Sequence, residues 1–167
     1  GSSMKLNESE SFLEKKKDSQ VKFKCAYLSN WGRGLEILIY LWPKIHDSCK
    51  EASLNIYYED QTYGTMDASS LLKLKKEMER LKETGYNVNV IGGVGHERLA
   101  DDLQNEISLV LYPNHTKSET FCINNLKAMA AGCFIVTSEL GGIMETLCPG
   151  NYTVPDFSET KYVDEFL

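Results

Sequence analysis

Residues 108–145 constrain this chain more than any other stretch: SLVLYPNHTKSETFCINNLKAMAAGCFIVTSELGGIME. Leu109, Val110 and Leu111 form an apolar run without alternation, the pattern of a strand covered on both faces. Pro113 to Ser118 is polar and reads as loop. Ser118 or Thr120 is placed to cap a helix whose apolar residues Ile123, Leu126, Met129 and Ala130 recur at helical spacing. Gly132 stops that helix, Cys133 to Val136 reads as the next buried strand, and Gly141-Gly142 opens another short helix. Glu119 then falls where a strand's carboxyl end meets a helix N-terminus, the edge at which open parallel sheets bind ligands. The amides of Phe121, Cys122 and Ile123 are expected in the same crevice, with the positive end of the helix dipole behind them. A carboxylate beside free amides suits a ligand with both hydroxyls and phosphates. The residues alone leave a second role open for Glu119, a first-turn acid favoured by the dipole.

The run E-T-F-C-I-N-N-L-K-A-M-A-A-G-C-F-I-V, followed by G-G-I-M-E, resembles the donor-site signature of retaining glycosyltransferases of the two-domain GT-B fold, in the large family 4, or group 1, type. Glu119, Phe121, Ala128-Met129-Ala130, Gly132, Val136, Gly141-Gly142 and Glu145 match that pattern. Three positions depart from it. Cys122 stands for the usual glycine, Phe134 for the usual proline, and Lys127 for a second glutamate.

The rest of the chain supplies the other strands and helices. Val21, Phe23, Cys25 and Tyr27 alternate with Lys22, Lys24 and Ala26, which reads as a first strand. Ser29-Asn30-Trp31-Gly32-Arg33-Gly34 is a glycine loop, and Leu35 to His46 a helix with Leu35, Ile37, Leu38, Leu41, Trp42 and Ile45 inward. Such a loop can bring amides and an arginine to a diphosphate, but by itself it reads first as a tight turn with a surface arginine. In the family, a basic residue, Gly and an apolar helix follow one another, so the resemblance gives Arg33 the diphosphate. Where the family often has a second arginine, this chain has Ser29 and Asn30; Ser29, Asn30 and Gly32 are the candidate substrate contacts of this loop, with the Ser29 hydroxyl available to a phosphate. Ala52 to Glu59 is the second strand, Asp67 caps a long charged helix to Thr84 with Leu71, Leu72, Leu74, Met78 and Leu81 inward, and Asn87 to Ile91 is the third strand. The resemblance places the Gly92–Glu97 loop against a nucleotide base, with Gly92 and Val94 as its contacts. His96 reads as a capping or packing residue at a helix start. Asn151 to Val154 is a short strand, and Ser158 caps a last helix.

The 167 residues fit one domain, and 42% apolar residues can build its core. Residues 1–20 are expected to be an expression remnant and a flexible leader or linker, and residues 21–167 a nucleotide-sugar-binding domain short of its terminal helices. A net charge of −6 argues against general nucleic-acid binding, and no run has the apolar length of a membrane span. Five cysteines without ligand spacing fit reduced thiols in a cytoplasmic protein, so no metal site is expected.

The expected fold is a doubly wound, Rossmann-like parallel sheet of five or six strands, one half of a GT-B molecule. The resemblance implies retaining, metal-independent glycosyl transfer from a UDP-, GDP- or ADP-sugar, with no other cofactor. Arg33 and Glu119 are the implied catalytic residues, and Thr120, Phe121, Cys122, Ile123 and Lys127 line the substrate. The acceptor would be bound by an N-terminal domain of the same protein, and the present stretch alone is expected to be inactive. Two other functions remain open: a degenerate, non-catalytic binding domain, and a nucleotide-sugar epimerase on the same fold.

Overall fold

The computed structural model describes residues 23–58, 66–115 and 119–155. The leader, the 59–65 loop, Ser118 and the helix expected from Ser158 lie outside the described residues. Six strands, β1 (Lys24–Tyr27), β2 (Ser53–Ile56), β3 (Val88–Val90), β4 (Leu109–Tyr112), β5 (Phe134–Ser138) and β6 (Tyr152–Val154), form one parallel sheet in the order β3-β2-β1-β4-β5-β6. The helices are α1 (Leu35–Ser48), α2 (Ala68–Glu83), α3 (His96–Asn105), α4 (Ile123–Ala130) and α5 (Ile143–Thr146). This is the doubly wound architecture that the sequence predicts.

β1 is not the half-exposed strand its alternation suggests. Cys25, Ala26 and Tyr27 are all buried, while Phe23, ahead of the strand, is exposed. The reason is position: β1 is central, and each of its faces meets a different core. Cys25 and Tyr27 join Leu38, Trp42 and Leu81 beneath α1 and α2, whereas Ala26 joins Val110, Ile135, Leu103 and Ala128 beneath α3 and α4. Asp67 caps α2 as expected, accepting from Ser69 N and Ser70 N at 2.9 and 3.0 Å.

Two helices differ in detail. Leu72 is exposed on α2, whose inner face is Leu74, Met78 and Leu81. In α4 the buried residues are Asn125 and Ala128, and Ile123 is exposed. Small side chains let α4 sit close to the sheet, which turns its larger apolar residues to the flanks.

The topology fixes where a ligand can enter. The chain winds outward through β1, β2 and β3, then returns through α3 to place β4 beside β1. The ladder between β1 and β4 runs for two residue pairs, where β1–β2 and β4–β5 each run for four. The carboxyl ends of β1 and β4 therefore part at the point where the winding direction reverses, which opens a crevice.

Candidate active site

Two tyrosines on the parting strands form the floor of this crevice. Tyr27 and Tyr112 meet edge to face, with ring centroids 6.2 Å apart. Tyr27 Oη donates to Asn30 O at 2.7 Å and so holds the loop after β1. Tyr112 Oη donates to Glu119 Oε2 at 2.8 Å and so holds the loop after β4. Burial pushes the hydroxyls of both tyrosines above their ordinary range, so both remain donors.

Arg33 and Glu119 meet above that floor. Arg33 Nη1 lies 2.5 Å from Glu119 Oε2, and Glu119 Oε1 accepts from Cys122 N at 3.1 Å. Burial opposes the Arg33 charge, but Tyr112 and the Glu119 carboxylate outweigh it, and its pKa rises. The Cys122 amide is therefore taken by Glu119 and does not wait for a ligand. The amides of Phe121, Ile123 and Asn124 have no backbone acceptor among the described residues. Thr120 is not the cap of α4, which begins later, after Cys122.

A cavity of about 500 Å³ gathers most of the predicted residues: Ser29, Asn30, Arg33, Glu119, Thr120, Phe121, Cys122, Ile123 and Lys127. Gly32 stays buried within its loop, its amide donating to Asn30 Oδ1 at 2.9 Å. A second cavity of about 430 Å³ adjoins the first and shares Tyr58, Asn124 and Lys127 with it. Val94 lines the second cavity with Leu28, Tyr57, His96 and Leu99. Gly92 does not. With φ at 80° it turns away to a third hollow beside Trp31 and Val90. His96 makes no cap bond on α3, and its Nδ1 instead lies 3.4 Å from Lys127 Nζ. Among the described residues, no group of three or more His, Cys, Asp and Glu is arranged to hold a metal. No helix among them is long and apolar enough to cross a membrane.

Sequence reasoning missed Tyr112, Tyr57, Tyr58 and Asn124. Tyr57 Oη donates to the buried Asp102 at 3.0 Å, and Asn124 Nδ2 donates to Leu28 O, tying α4 to β1. The available signal was their place at strand ends and in the first turn of α4.

The model of the family described as "Glycosyl transferases group 1" matches residues 13–166. The chain belongs to the glycosyl transferases group 1 family. Solved structures of the same fold include the C-terminal domain of a group 1 family protein, LpcC, from Francisella tularensis. That match has 16% identity and a TM-score of 0.64, covering 91% of this chain and 78% of that one. Anabaena HepE in complex with UDP-glucose is 17% identical with a TM-score of 0.66, over 97% of this chain and 41% of its own. The pneumococcal O-GlcNAc transferase GtfA, in complex with UDP and GlcNAc, is 16% identical with a TM-score of 0.65. The present chain is 89% covered in that match and spans 28% of GtfA. No curated protein matches the chain.

Membership in the group 1 family gives the odd residues of the site a reference. The usual glycine after Phe is Cys122 here, and its backbone is left-handed, φ 46° and ψ 63°. The glycine of the family pattern thus has a local reason, and this chain carries a side chain where the turn favours none. Gly141 and Gly142 are needed for closeness. A Cβ on Gly141 would stand 2.1 Å from Glu119 O, and one on Gly142 1.8 Å from Thr120 O. Gly142 N also donates to Glu119 O at 2.9 Å. The glycine pair is a brace behind the catalytic candidate Glu119.

Proposed function

We propose that this chain is the donor-binding part of a retaining glycosyltransferase that takes a nucleotide-diphosphate sugar at the β1–β4 crevice. The observation that carries this reading is the meeting of Arg33 and Glu119 across the parted strand ends. In this reading the base enters the 430 Å³ cavity with Val94, and the diphosphate lies in the 500 Å³ cavity near Arg33 and the amides of Phe121, Ile123 and Asn124. Breaking the anomeric C–O bond leaves negative charge on the diphosphate. A guanidinium and helix-terminal amides stabilise that charge without a bound metal. Arg33 is 34% exposed and free to turn toward a phosphate. Glu119, 9% exposed, stays fixed by Tyr112 and the Cys122 amide and presents its carboxylate to the hydroxyls of the sugar. The acceptor is assigned to another domain of a longer protein, and the transferred group to the hexose class. A cytoplasmic setting fits five cysteines that form no disulfide with one another.

Titration of the chain with UDP, GDP and ADP and their sugar conjugates tests this reading. Binding of one base series, weakened by Arg33→Ala, with the added affinity of the sugar lost in Glu119→Gln, supports it. No binding by any of them at millimolar concentration, in a folded sample, removes it. A binding-only domain is the second reading, and Lys127 in place of a carboxylate is the observation that favours it. Nucleotide binding without sugar transfer by a longer form of the protein would select it.

A further inference from the structure

The hydrogen bonds along the floor of the crevice run in one direction. Ser29 Oγ donates to Tyr112 Oη at 3.4 Å, and Tyr112 Oη donates to Glu119 Oε2 at 2.8 Å. Chemistry fixes the sense of each step. A carboxylate paired with Arg33 only accepts, so the single phenolic proton of Tyr112 points at Glu119. Arg33, which also acts on this phenol, only donates. Tyr27 has given its own proton to Asn30 O at 2.7 Å. Both phenols are thus left with lone pairs, and Ser29 is the hydroxyl that faces them. Burial raises the Tyr27 and Tyr112 hydroxyls, and Ser29, as a donor, works against that rise at both.

The consequence is felt on the ligand side. Ser29 is half-buried and lines the 500 Å³ cavity together with Glu119. With its proton turned to the floor, Ser29 offers the cavity oxygen lone pairs. The oxygens of a diphosphate are acceptors and find no donor there, whereas a sugar hydroxyl brings a proton. The serine that the sequence offers to a phosphate is therefore set to meet the sugar instead. Ser29 and Glu119 flank one phenolic oxygen, close enough for a single hexose ring to reach both.

We propose that Ser29 accepts a hydrogen bond from a hydroxyl of the donor sugar, beside Glu119, and that Tyr112 is the positioning residue that sets both acceptors. This rests on the donor-site reading above. The test is calorimetry on the full 167-residue chain with UDP, GDP and ADP and with UDP-glucose, UDP-N-acetylglucosamine, GDP-mannose and ADP-glucose. For the base that binds, Ser29→Ala is expected to weaken the sugar conjugate at least about threefold more than the bare diphosphate. Ser29→Thr, which keeps the hydroxyl, retains the affinity of the conjugate. Tyr112→Phe keeps the ring and removes the hydroxyl, and it too weakens the conjugate selectively. The double variant Ser29→Ala, Tyr112→Phe loses less than the two single losses combined, because one hydroxyl acts through the other. Urea melts confirm that each variant is folded.

A Ser29→Ala loss that is as large for the bare diphosphate as for the conjugate overturns the proposal, because Ser29 is then a phosphate contact. Unchanged affinity for both ligands in Ser29→Ala also overturns it, and so does a wild-type chain that gains nothing from the sugar. In each of these cases nucleotide binding itself stands. If no nucleotide or nucleotide-sugar binds a folded sample, the donor-site reading fails and takes this proposal with it.

Discussion

Arg33 Nη1 stands 2.5 Å from Glu119 Oε2 across 86 residues of sequence, and the same oxygen accepts from Tyr112 Oη at 2.8 Å. One carboxylate thus ties together the loops after the two central strands. The pair is also a competition. A diphosphate that draws Arg33 away returns an acceptor position on Glu119 to whatever sugar hydroxyl lies beside it.

Removing either partner should therefore be felt in stability as well as binding. Arg33→Ala leaves a mostly buried carboxylate with one strong donor fewer, at a cost of about 1–3 kcal/mol. Glu119→Gln keeps the shape and loses the charge, and should cost less. Urea melts of the two single variants and the double variant check this, with a coupling of at least about 0.5 kcal/mol expected. Strict additivity would mean that the pair contributes nothing to the fold.

At Cys122 the left-handed backbone sets the direction of each substitution. Cys122→Gly relieves the strain but gives up the packing of a half-buried thiol, so the net gain should be small, about 0.5 kcal/mol. Cys122→Val puts a β-branched residue in the same conformation and should cost about 1–2 kcal/mol. Thermal melts of the two variants should move in opposite directions; a shift to lower temperature for both would show that the thiol packing outweighs the strain.

The glycine brace predicts a larger loss. Gly142→Ala sets a methyl group 1.8 Å from Thr120 O, closer than any real contact, so the loop carrying Glu119 must move. We expect destabilisation of about 2 kcal/mol or more, together with loss of the affinity contributed by the sugar. Gly150→Ala is the comparison, since its Cβ would meet nothing within 4 Å. That substitution is strained by its φ of 98° but should leave donor binding intact.

Buried thiols and a buried phenol set the alkaline limit of stability. Burial pushes the Cys25 thiol up to about 12 and the Cys122 thiol up to about 11, from 9.0. Burial likewise pushes the Tyr57 hydroxyl up to about 12, from 10.0. The folded chain holds these protons to higher pH than the unfolded chain does. Their contribution is therefore complete below about pH 9 and lost as pH rises toward 11–12. The urea midpoint should stay level from about pH 7 to 8 and fall steeply above pH 9. A midpoint unchanged to pH 11 would contradict the burial of these groups.

Arg33 and Glu119 were singled out through the resemblance, and each stands at a boundary that sequence marks well, an apolar run giving way to polar residues and then to a helix. The doubly wound order was legible for the same reason. Tyr112 was not, because an unbroken apolar run such as LVLY hides which residue ends the strand and which face it takes. The departure at Cys122 could be seen as an unusual letter, but its left-handed backbone could not. The Lys127–His96 contact joins the last turn of α4 to the first residue of α3, 31 residues apart, and no local pattern carries such a meeting. The buried face of α4 was misread because Asn125 and Ala128, the residues closest to the sheet, are not the most apolar ones.

The short ladder between β1 and β4 has a mechanical consequence. The sheet is two three-stranded ribbons joined at a seam of two residue pairs, with Tyr27 and Tyr112 as rivets just beneath the gap. With so short a seam, the Arg33–Glu119 ion pair acts as a clasp between the two ribbons at the crevice.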